Sequence, residues 1–268
     1  MQQISILGCG WLGLPLAEHL IKKGYRIKGS TTSSHRIAEL ESKAIEAFII
    51  ELFADKISGD YKSFLQNSQT LIIDIPPKLR GDNAVSFVSK IKRFIEKAVL
   101  NSSIEKVLLI SSTSVYGEEA IIVTEETPEK PETLSGKELL ETELFLQQQE
   151  AFKTTILRFG GLIGGNRNPA KSLSGKTNIA TPNAPINLIH QDDCIGIITA
   201  IIEQNFWGKK INASTPFHPT RKEYYTAKAT ALGLPLPEFE ENEASGKLID
   251  SSKLILELGY EFLVVEGI

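Results

Sequence analysis

Apolar runs of strand length alternate with amphipathic segments of helix length along much of the chain. The run ISILG precedes LGLPLAEHLIKKG, LIIDIP precedes AVSFVSKIKRFIEKAVL, and KVLLISS is followed by SGKELLETELFLQQQ. These strand-length runs are continuously apolar, a pattern typical of strands that are buried on both faces. The sequence therefore predicts an α/β fold, a doubly wound parallel sheet covered by helices, with right-handed crossovers.

A glycine-rich motif, GCGWLG, lies between the first strand and the first helix. In that context Gly8 permits a tight turn, Gly10 lets the main chain approach a pyrophosphate, and Gly13 allows close packing of helix on strand. The helix N-terminus adds free N–H groups and a positive dipole end. The motif predicts a Rossmann-type dinucleotide site, the alternative being a tight turn with no ligand. The expected cofactor contacts are Gly8, Gly10, Trp11, Leu12 and Gly13.

The end of the second strand indicates which dinucleotide is bound. An NAD site usually has a carboxylate roughly 20 residues beyond the glycines to hold the ribose 2′-OH, whereas this chain has GSTTSSHR there. Hydroxyls and a guanidinium suit a 2′-phosphate. We expect NADP, with NAD as the alternative, and contacts from Ser30, Thr31, Thr32 and Arg36. The competing interpretation is an ordinary helix entry, with Ser33 or Ser34 as the N-cap and Arg36 in solvent.

The third strand ends at Asp74, which is followed by Ile75, Pro76 and Pro77. Proline cannot continue a strand, so the chain turns away at this point. The ends of neighbouring strands line the ligand crevice in this fold, and we expect these three residues beside the adenosine half of the cofactor. Asp74 either joins that site or binds local main-chain N–H groups.

Composition and charge exclude several classes of partner. The net charge of −4, from 29 basic and 33 acidic residues, provides no basic face for nucleic acid. The two cysteines, Cys9 and Cys194, have no metal-ligand spacing, which predicts no metal site and a reducing cytoplasm. No apolar run approaches the roughly 18 residues of a membrane span. The expected partner is a small-molecule substrate.

A loop rich in Gly, Asn, Pro and Ser, residues 164–185, interrupts the strand and helix alternation. It predicts a dinucleotide-binding Rossmann domain, residues 1–163, and a smaller substrate-binding lobe, residues 164–268, interleaved with the Rossmann sheet. The length of 268 residues suits one large domain with such a lobe.

Further motifs extend over nearly the whole chain, namely SSTSVYG, TEETPEKP, ILRFGGLIGGNR, INLIHQDD and DSSKLILELGYEF. With the glycine motif they resemble the extended short-chain dehydrogenase/reductases, the NAD(P)-dependent epimerase/dehydratase family, and above all its atypical YeeZ-like branch. The resemblance implies a Rossmann fold and a nicotinamide dinucleotide cofactor. It specifies no reaction, because one fold supports many chemistries.

The resemblance implies a catalytic hydroxyl at Ser112, a cofactor contact at Ser111 and a substrate contact at Thr113. Dehydratases of the family have an Asp-Glu pair where this chain has Thr113 and Ser114, so dehydration of the sugar type is disfavoured. Tyr116 is a candidate proton donor. A tyrosine at this position also occurs in members with the complete catalytic machinery, which favours a structural role.

The family's catalytic tyrosine and lysine, four residues apart on a helix, are absent from this chain. The register set by Gly136 and Glu143 places Ser135 and Leu139 at those two positions. A serine hydroxyl is a far weaker acid than a phenol, and leucine neither binds a ribose nor supplies charge. Lys137 is an imperfect substitute, because residues i and i+2 face different sides of a helix. Ser135 is kept as a candidate catalytic residue.

Four residues are candidates for substrate contacts. Arg158 and Arg167 flank a glycine-rich strand exit that lines the substrate cleft in the family, so they suit an anionic group. His190 precedes two aspartates that could orient it, and Arg221 precedes a helical segment. The alternatives are a buried structural arginine for Arg158, a solvated or satisfied loop histidine for His190, and a helix start for Arg221.

Two functions compete at this stage. The first is an epimerase/dehydratase-like or reductase-like enzyme acting on a nucleotide-sugar or another small polar metabolite. The second is a non-catalytic dinucleotide-binding protein with a regulatory or structural role. We also expect a homodimer, because segments 84–100 and 136–150 correspond to helices that pair across a two-fold axis in many extended relatives. The second segment has more leucine than one narrow helix face requires, at Leu139, Leu140, Leu144 and Leu146.

Overall fold

Strands and helices alternate along the chain in the computed structural model, which describes residues 2–77, 86–119 and 121–264. The strands in these ranges are β1 (Gln3–Leu7), β2 (Arg26–Thr31), β3 (Glu46–Ile49), β4 (Glu51–Leu52), β5 (Ile57–Ser58), β6 (Thr70–Ile73), β7 (Lys106–Ser112), β8 (Ile122–Val123), β9 (Lys153–Phe159), β10 (Gly161–Ile163), β11 (Leu188–His190), β12 (Lys210–Ala213) and β13 (Leu248–Ile249). The α-helices are α1 (Gly13–Lys22), α2 (Ile37–Ser42), α3 (Tyr61–Leu65), α4 (Phe87–Lys97), α5 (Leu134–Gln147), α6 (Ala170–Leu173), α7 (Gln191–Glu203), α8 (Arg221–Ala231) and α9 (Ser252–Leu258). Short 3₁₀ helices occur at Ser34–Arg36, Val99–Asn101 and Thr113–Val115.

Seven of the described strands form the main sheet, in the order β12-β9-β7-β6-β1-β2-β3. Every neighbouring pair in it is parallel. The chain begins in the middle at β1, runs outward to β3, returns to β6 beside β1 and then runs outward in the other direction. This is the doubly wound order, so the prediction of a Rossmann-type parallel sheet is confirmed.

The winding of the sheet reverses between β1 and β6, which pair in register from Ile4 with Thr70 to Leu7 with Ile73. A crevice opens beyond the carboxyl ends of two such strands, because their connections leave on opposite faces. The glycine motif follows β1 directly, and Asp74 follows β6 directly. The topology therefore brings these two features of the sequence together at the crevice.

Each face of the sheet has its own apolar core, because successive strand residues point to opposite faces. One core joins α1, α7 and α9 and contains the fully buried Leu16 and Ile198. The other joins α3, α4 and α5 and contains the fully buried Phe94 and Leu146. Burying each such side chain contributes roughly 1.5 to 3 kcal/mol, so the second core, which we call the α5 core, fixes the position of α5.

The leucines of α5 divide between the α5 core and the surface. Leu139 and Leu146 are 5% and 0% exposed and belong to that core, and Leu140 packs against it. Leu144 is 51% exposed. The surplus of leucine that suggested a dimer interface is therefore mostly used inside the molecule. The homodimer stays a prediction, and residues 84 and 85 of its first segment lie outside the described residues.

The chain beyond residue 163 contributes both to the main sheet and to smaller elements beside it. Its strand β12 forms an edge of the sheet next to β9, and α7 belongs to the same core as α1. Outside the sheet, β10 pairs with β11, β8 pairs with β13, and α6 packs against α8. The division into two units at residue 163 stays a prediction. Among the described residues, no helix combines the length and the apolar character that a membrane crossing requires.

Candidate functional site

The three glycines of the turn after β1 have different surroundings. Gly8 has a φ of +109°, and a Cβ there would overlap the carbonyl oxygen of Asp74. A Cβ on Gly13 would overlap the carbonyl oxygen of Gly8. A Cβ on Gly10 would meet no atom of the described residues within 4 Å. Residues 8–13, which we call the glycine turn, are therefore closed by packing at both ends and open in the middle, where a pyrophosphate would lie.

The glycine turn is held by hydrogen bonds from the end of β2. The N–H of Gly8 donates to Ser30 Oγ at 3.0 Å, and the N–H of Cys9 donates to the Ser30 carbonyl at 2.8 Å. Ser30 is only 2% exposed. Its hydroxyl therefore supports the turn, which corrects the expectation that Ser30 faces a cofactor phosphate. Leu12 precedes α1 and is buried, and no side chain caps the N-terminus of this helix.

The half-buried side chain of Arg36 contacts the glycine turn. Its Nη1 donates to the Cys9 carbonyl at 2.8 Å, and its Nε donates to Glu39 Oε2 at 3.1 Å. Thr31 is buried, with its Oγ1 accepting a hydrogen bond from the main-chain N–H of Ser33, whereas Thr32 is exposed. Of the four predicted contacts in this stretch, Arg36 and Thr32 are thus the two that a 2′-phosphate can reach from solvent.

Asp74 is a half-buried carboxyl at the crevice. Loss of solvation raises its pKa to about 8, although the main-chain N–H of Gly13 and the charge of Arg167 act in the opposite direction. Ile75 contacts the glycine turn near Gly8, Pro76 is exposed and Pro77 is half-buried. The carboxyl of Asp74 is therefore largely protonated at neutral pH.

The two cysteines near this crevice are unreactive. Burial raises the pKa of the Cys9 thiol to about 12 and raises that of Cys194 well above its usual value. The thiolate is the nucleophilic form, so neither cysteine is a nucleophile at neutral pH.

A second turn, residues 164–167, lies against Trp11. Gly164 and Arg167 exchange two main-chain hydrogen bonds of 3.1 and 3.0 Å, which close the turn. The Arg167 guanidinium carbon lies 4.3 Å from the centroid of a Trp11 ring, and Gln191 Nε2 donates to the Trp11 carbonyl at 2.6 Å. The structure thus brings Arg167 to the glycine turn. The motifs gave no signal for Gln191, which lies far from Trp11 in sequence.

The turn after β7, residues 111–116, is closed by hydrogen bonds; we call it the serine turn. Ser112 Oγ accepts from the N–H of Ser114 at 3.1 Å, and the buried Ser111 hydroxyl donates to Glu143. Thr113 is 7% exposed, which leaves it little surface for a substrate contact. Ser112 is half-buried, and its own O–H is free to donate.

Lys247 holds the serine turn from the C-terminal part of the chain. Its Nζ donates to the carbonyl of Thr113 at 3.0 Å, to the carbonyl of Tyr116 at 3.3 Å and to Glu118 Oε1 at 2.8 Å. The side chain is buried. Sequence analysis missed Lys247, because a single lysine between Gly and Leu has no motif around it.

Arg158 is 0% exposed and lies inside a network of buried polar groups. It donates through Nε and Nη2 to Glu143, through Nη2 to Glu129 at 2.7 Å and through Nη1 to the Tyr116 hydroxyl at 2.7 Å. The Tyr116 hydroxyl donates in turn to Asn212 Oδ1 at 2.9 Å. These contacts correct the assignment of Arg158 to the substrate cleft, since no surface of it faces a ligand. The buried structural arginine is the interpretation that fits.

The network also determines the protonation of its members. Burial raises the pKa of Tyr116, although the adjacent Arg158 guanidinium opposes this effect. Burial acts against ionisation of Glu129, but hydrogen bonds from Arg158 and Lys210 lower its pKa to about 2. Tyr116 is 2% exposed, with both hydrogen-bonding positions of its hydroxyl filled. The structure therefore favours the structural role for Tyr116 over the catalytic one.

The start of α5 packs directly on the serine turn. Thr133 Oγ1 caps the helix by accepting from the N–H of Gly136 at 3.0 Å, and a Cβ on Gly136 would overlap the carbonyl oxygen of Ser114. Ser135 is half-buried. Leu139, at the position of the family's lysine, lies in the α5 core. The helix is thus in place, but its inward face carries a hydroxyl and an apolar side chain.

His190 and Arg221 have local structural partners. His190 begins α7, with Nδ1 accepting from the N–H of Asp192 at 3.2 Å, and Gly164 packs on its ring. Asp193 does not orient His190, because its carboxylate accepts from the Tyr260 hydroxyl and the Leu263 N–H. Arg221 starts α8 and donates to the carbonyl of Ala180 and the hydroxyl of Thr181. Arg221 is thus a helix start that also connects α8 to the loop at Ala180 and Thr181.

The sheet order and the glycine turn define the chain as an α/β protein of the Rossmann type. Comparisons with solved structures agree. UDP-glucuronic acid 4-epimerase from Bacillus cereus in complex with NAD has a TM-score of 0.80 and 20% identity, over 98% of this chain and 92% of that one. UDP-N-acetylglucosamine 4-epimerase from Bacillus cereus has a TM-score of 0.77 and 17% identity, over 98% of this chain and 92% of that one. A short-chain dehydrogenase/reductase superfamily protein from Agrobacterium tumefaciens with bound NAD has a TM-score of 0.78 and 15% identity, over 98% of this chain and 93% of that one.

Sequence comparison identifies the branch. No family model matches the chain. Protein YeeZ of Escherichia coli K12 is 32% identical over 267 residues, which cover 98% of this chain and 96% of that protein, and YeeZ of Escherichia coli O157:H7 gives the same values. The chain therefore belongs to the same family as YeeZ, the branch that its motifs resemble, and it shares its fold with the solved epimerases and short-chain dehydrogenase/reductases.

Proposed function

We propose that the chain binds a nicotinamide dinucleotide at the glycine turn, with NADP preferred to NAD. The observation that supports this most directly is the open space at Gly10, between two glycines that are closed by packing. A turn needed only for folding requires glycine at Gly8 and Gly13. Nothing in the packing requires it at Gly10, whereas a ligand that approaches the main chain does.

The residues around the turn fit such a cofactor. The N-terminus of α1 has no side-chain cap and presents N–H groups for a pyrophosphate. Arg36 and Thr32 follow β2, where an adenosine ribose is bound in this fold, and Ile75 and Pro76 follow β6, on the other side of β1. The bound nicotinamide ring would supply hydride transfer.

As the activity we propose an NADP-dependent reductase-like or epimerase-like reaction on a nucleotide-sugar or another small polar metabolite. Ser112 supports this proposal, because its free O–H can donate to a substrate oxygen at the end of β7. Solved neighbours include proteins described as complexes with UDP-glucose and NAD. A serine does not replace a phenol as an acid, so Ser112 and Ser135 would orient and polarise the substrate. Water would give the proton to the oxygen when NADPH reduces a carbonyl, and would take it when NADP+ oxidises an alcohol.

A second candidate is a dinucleotide-binding protein without catalysis. It is favoured by one specific observation, the place of Leu139 in the α5 core, where no ammonium can assist a donor. The Tyr116 hydroxyl also favours the non-catalytic function, because it already donates to Asn212 and accepts from Arg158. In this case the cofactor would serve structure or regulation.

Two measurements test these proposals in sequence. Isothermal titration calorimetry with NADPH and NADH tests binding, and we expect a lower Kd for NADPH. Equal Kd values would remove the NADP preference, and no heat with either would refute the cofactor proposal. Two assays then separate the two functions: absorbance of NADPH with small carbonyl compounds detects a reductase, and chromatography of nucleotide-sugars incubated with NADP+ detects an epimerase, which returns the hydride and leaves the absorbance unchanged. Turnover that Ser112→Ala reduces supports the enzyme, and tight binding without turnover supports the second candidate.

The remaining expectations concern assembly and location. We propose a homodimer through α4 and α5, which pack side by side, with Leu134 and Leu144 exposed on α5. We also propose a reducing cytoplasm as the location, because both cysteines are free and buried. Light scattering that gives a monomer mass at micromolar concentration would contradict the dimer.

A further inference from the structure

Two hydrogen-bond donors at the glycine turn have no acceptor within the described part of the chain. The indole Nε1 of Trp11 is buried and unpaired. The guanidinium of Arg167 lies on the Trp11 ring, and no described carbonyl or carboxylate comes within hydrogen-bond or ion-pair distance of it. Arg167 is exposed, so its guanidinium is free to bind a ligand that carries an acceptor.

The charges around the turn point to an anion as that acceptor. Arg167 lies near the N-terminus of α1, which already has the positive end of the helix dipole, so a cation there is unfavourable without a counter-charge. Glu39 pairs with Arg36. Asp74, whose charge interacts with Arg167, has a pKa of about 8 and is mostly neutral at pH 7. The turn thus concentrates positive potential.

The backbone of the 164–167 turn is shaped to hold Arg167 in this place. Gly164 has a φ of +106°, and a Cβ there would lie 2.6 Å from Nε2 of His190. Gly165 has a φ of +57°, and a Cβ there would lie 3.5 Å from the Trp11 indole nitrogen. A side chain at Gly164 would clash with His190, and the positive φ of Gly165 disfavours other residues there. The two glycines therefore let the turn lie against Trp11, with the Arg167 guanidinium carbon 4.3 Å from the ring centroid.

We propose that Arg167 and Trp11 form a clamp that binds the pyrophosphate of the dinucleotide cofactor. This inference rests on the proposed function. The planar guanidinium binds two phosphate oxygens at once, and the indole face holds its plane in position. Gln191 fixes the main chain of Trp11 beneath it. Arg167 is thereby a cofactor ligand, and not the substrate ligand that its place in the sequence suggested.

Calorimetry with three ligands tests the clamp. Arg167→Ala should weaken binding of NADPH and of ADP-ribose about 10- to 100-fold, because each has the pyrophosphate. Binding of adenosine 2′-monophosphate, which lacks it, should not change. The affinity of Arg167→Lys for both ligands should lie between those of the wild type and Arg167→Ala, since lysine keeps the charge but lacks the planar guanidinium. Arg26→Ala is the matched control, an exposed arginine at the opposite end of the sheet.

Fluorescence provides a readout that does not depend on activity. The chain has two tryptophans, so Trp207→Phe leaves Trp11 as the sole emitter. ADP-ribose, which has no nicotinamide to absorb the emission, should change the Trp11 signal in this variant. When Arg167→Ala is added to this variant, most of the change in Trp11 fluorescence should disappear, compared at the same fraction of protein bound to ADP-ribose. Melting temperatures of the unliganded proteins should agree, because Arg167 is exposed and its side chain makes no hydrogen bond to the described residues.

Three results would overturn the clamp. The first is an Arg167→Ala variant that binds NADPH as tightly as the wild type. The second is a Trp11 signal that does not respond to ADP-ribose. The third is a loss of affinity confined to UDP-glucose, which would make Arg167 a ligand of the substrate diphosphate. Failure of the wild type to bind either nicotinamide dinucleotide is a different result, because it refutes the proposed function itself.

Discussion

The glycine turn and the serine turn follow β1 and β7, two strands of one sheet that are separated by β6, yet they differ in how their polar groups are used. At the glycine turn, the space at Gly10 is open and the donors of Trp11 and Arg167 are unpaired within the described chain. At the serine turn, Lys247 binds the main-chain carbonyls, and the Tyr116 hydroxyl is fully bonded. The first is built to receive a ligand, and the second is built mainly to be stable.

This difference explains how the chain keeps its fold without the tyrosine and lysine that its resemblance to the short-chain dehydrogenase/reductases implies. Polar groups that are saturated by protein partners stabilise the chain but cannot exchange partners with a substrate at low cost. Donors without partners carry a cost in the unliganded chain that a ligand removes. The proposed function is therefore concentrated at the glycine turn, and the variants below test one side of that contrast each.

The largest effect is expected from restoring the family's catalytic pair at the serine turn. Ser135→Tyr with Leu139→Lys places an ammonium in the α5 core, where Glu143, four residues on, already holds Arg158. We expect a loss of about 4 to 5 kcal/mol in the free energy of unfolding. Urea unfolding measures it, with Leu139→Met as a control that should cost less than about 1.5 kcal/mol. A double variant as stable as the wild type would show that the site accepts a lysine.

The second effect concerns the buried network under the serine turn. Arg158→Met leaves Glu143, which is 0% exposed, without its cation, and we expect a loss of about 3 to 4 kcal/mol in unfolding free energy. Combining it with Glu143→Leu should recover part of that loss, because an apolar pair avoids the buried charge. If Arg158→Met were stable but bound substrate poorly, Arg158 would belong to the cleft after all.

The third effect separates packing from ligand binding within the glycine turn. Gly13→Ala should lower the free energy of unfolding by about 2 kcal/mol, because its Cβ overlaps the Gly8 carbonyl. Gly10→Ala meets open space and should change it by less than about 0.5 kcal/mol, while weakening NADPH binding. Thermal melts and calorimetry on both variants check this. Normal NADPH binding by Gly10→Ala would place the pyrophosphate elsewhere.

The parts of the fold and site that could be predicted are those that a short contiguous segment determines. The continuous apolar runs of β1, β6 and β7 indicate strands buried on both faces, and the sheet has them side by side. The roles of Gly8 and Gly13 also follow from the motif alone, since the requirement for glycine is local to the turn.

The parts that could not be predicted depend on partners far away in sequence. Arg158 lies in a strand, and whether it is buried depends on Glu129 and Glu143, which other segments supply. Ser30 has the composition of a phosphate ligand, but the geometry of β1 beside β2 turns its hydroxyl toward Gly8. Long-range contacts of this kind leave no periodicity in the sequence. The presence of a hydroxyl or a guanidinium in the sequence therefore does not show whether that group binds a ligand or stabilises the fold.

The fourth effect is a pH dependence on the cofactor side. The folded-state pKa of Asp74, about 8, is above its usual value of 3.8, so folding favours the protonated form and Asp74 destabilises the chain increasingly as pH rises toward 8. Ionised Asp74 would also repel a pyrophosphate. We expect NADPH affinity to fall about tenfold between pH 7 and pH 9, measured by calorimetry. Asp74→Asn should flatten that dependence, and a wild type with constant affinity over this range would contradict the assignment.

The smallest effect concerns the choice between NADP and NAD. Arg36 already donates to the Cys9 carbonyl and pairs with Glu39. A 2′-phosphate must therefore compete with the Glu39 carboxylate to bind the Arg36 guanidinium. A charge-assisted contact contributes about 1.5 to 3 kcal/mol, and the loss of a surface pair reduces it. We therefore expect Arg36→Ala to lower the preference for NADPH over NADH only about fivefold. Glu39→Gln should raise the same preference, because it frees the guanidinium without removing it. Calorimetry with both cofactors on the two variants gives the ratio directly. A Glu39→Gln variant whose preference falls would mean that Glu39 positions Arg36 for the phosphate, and the competition argued here would be wrong.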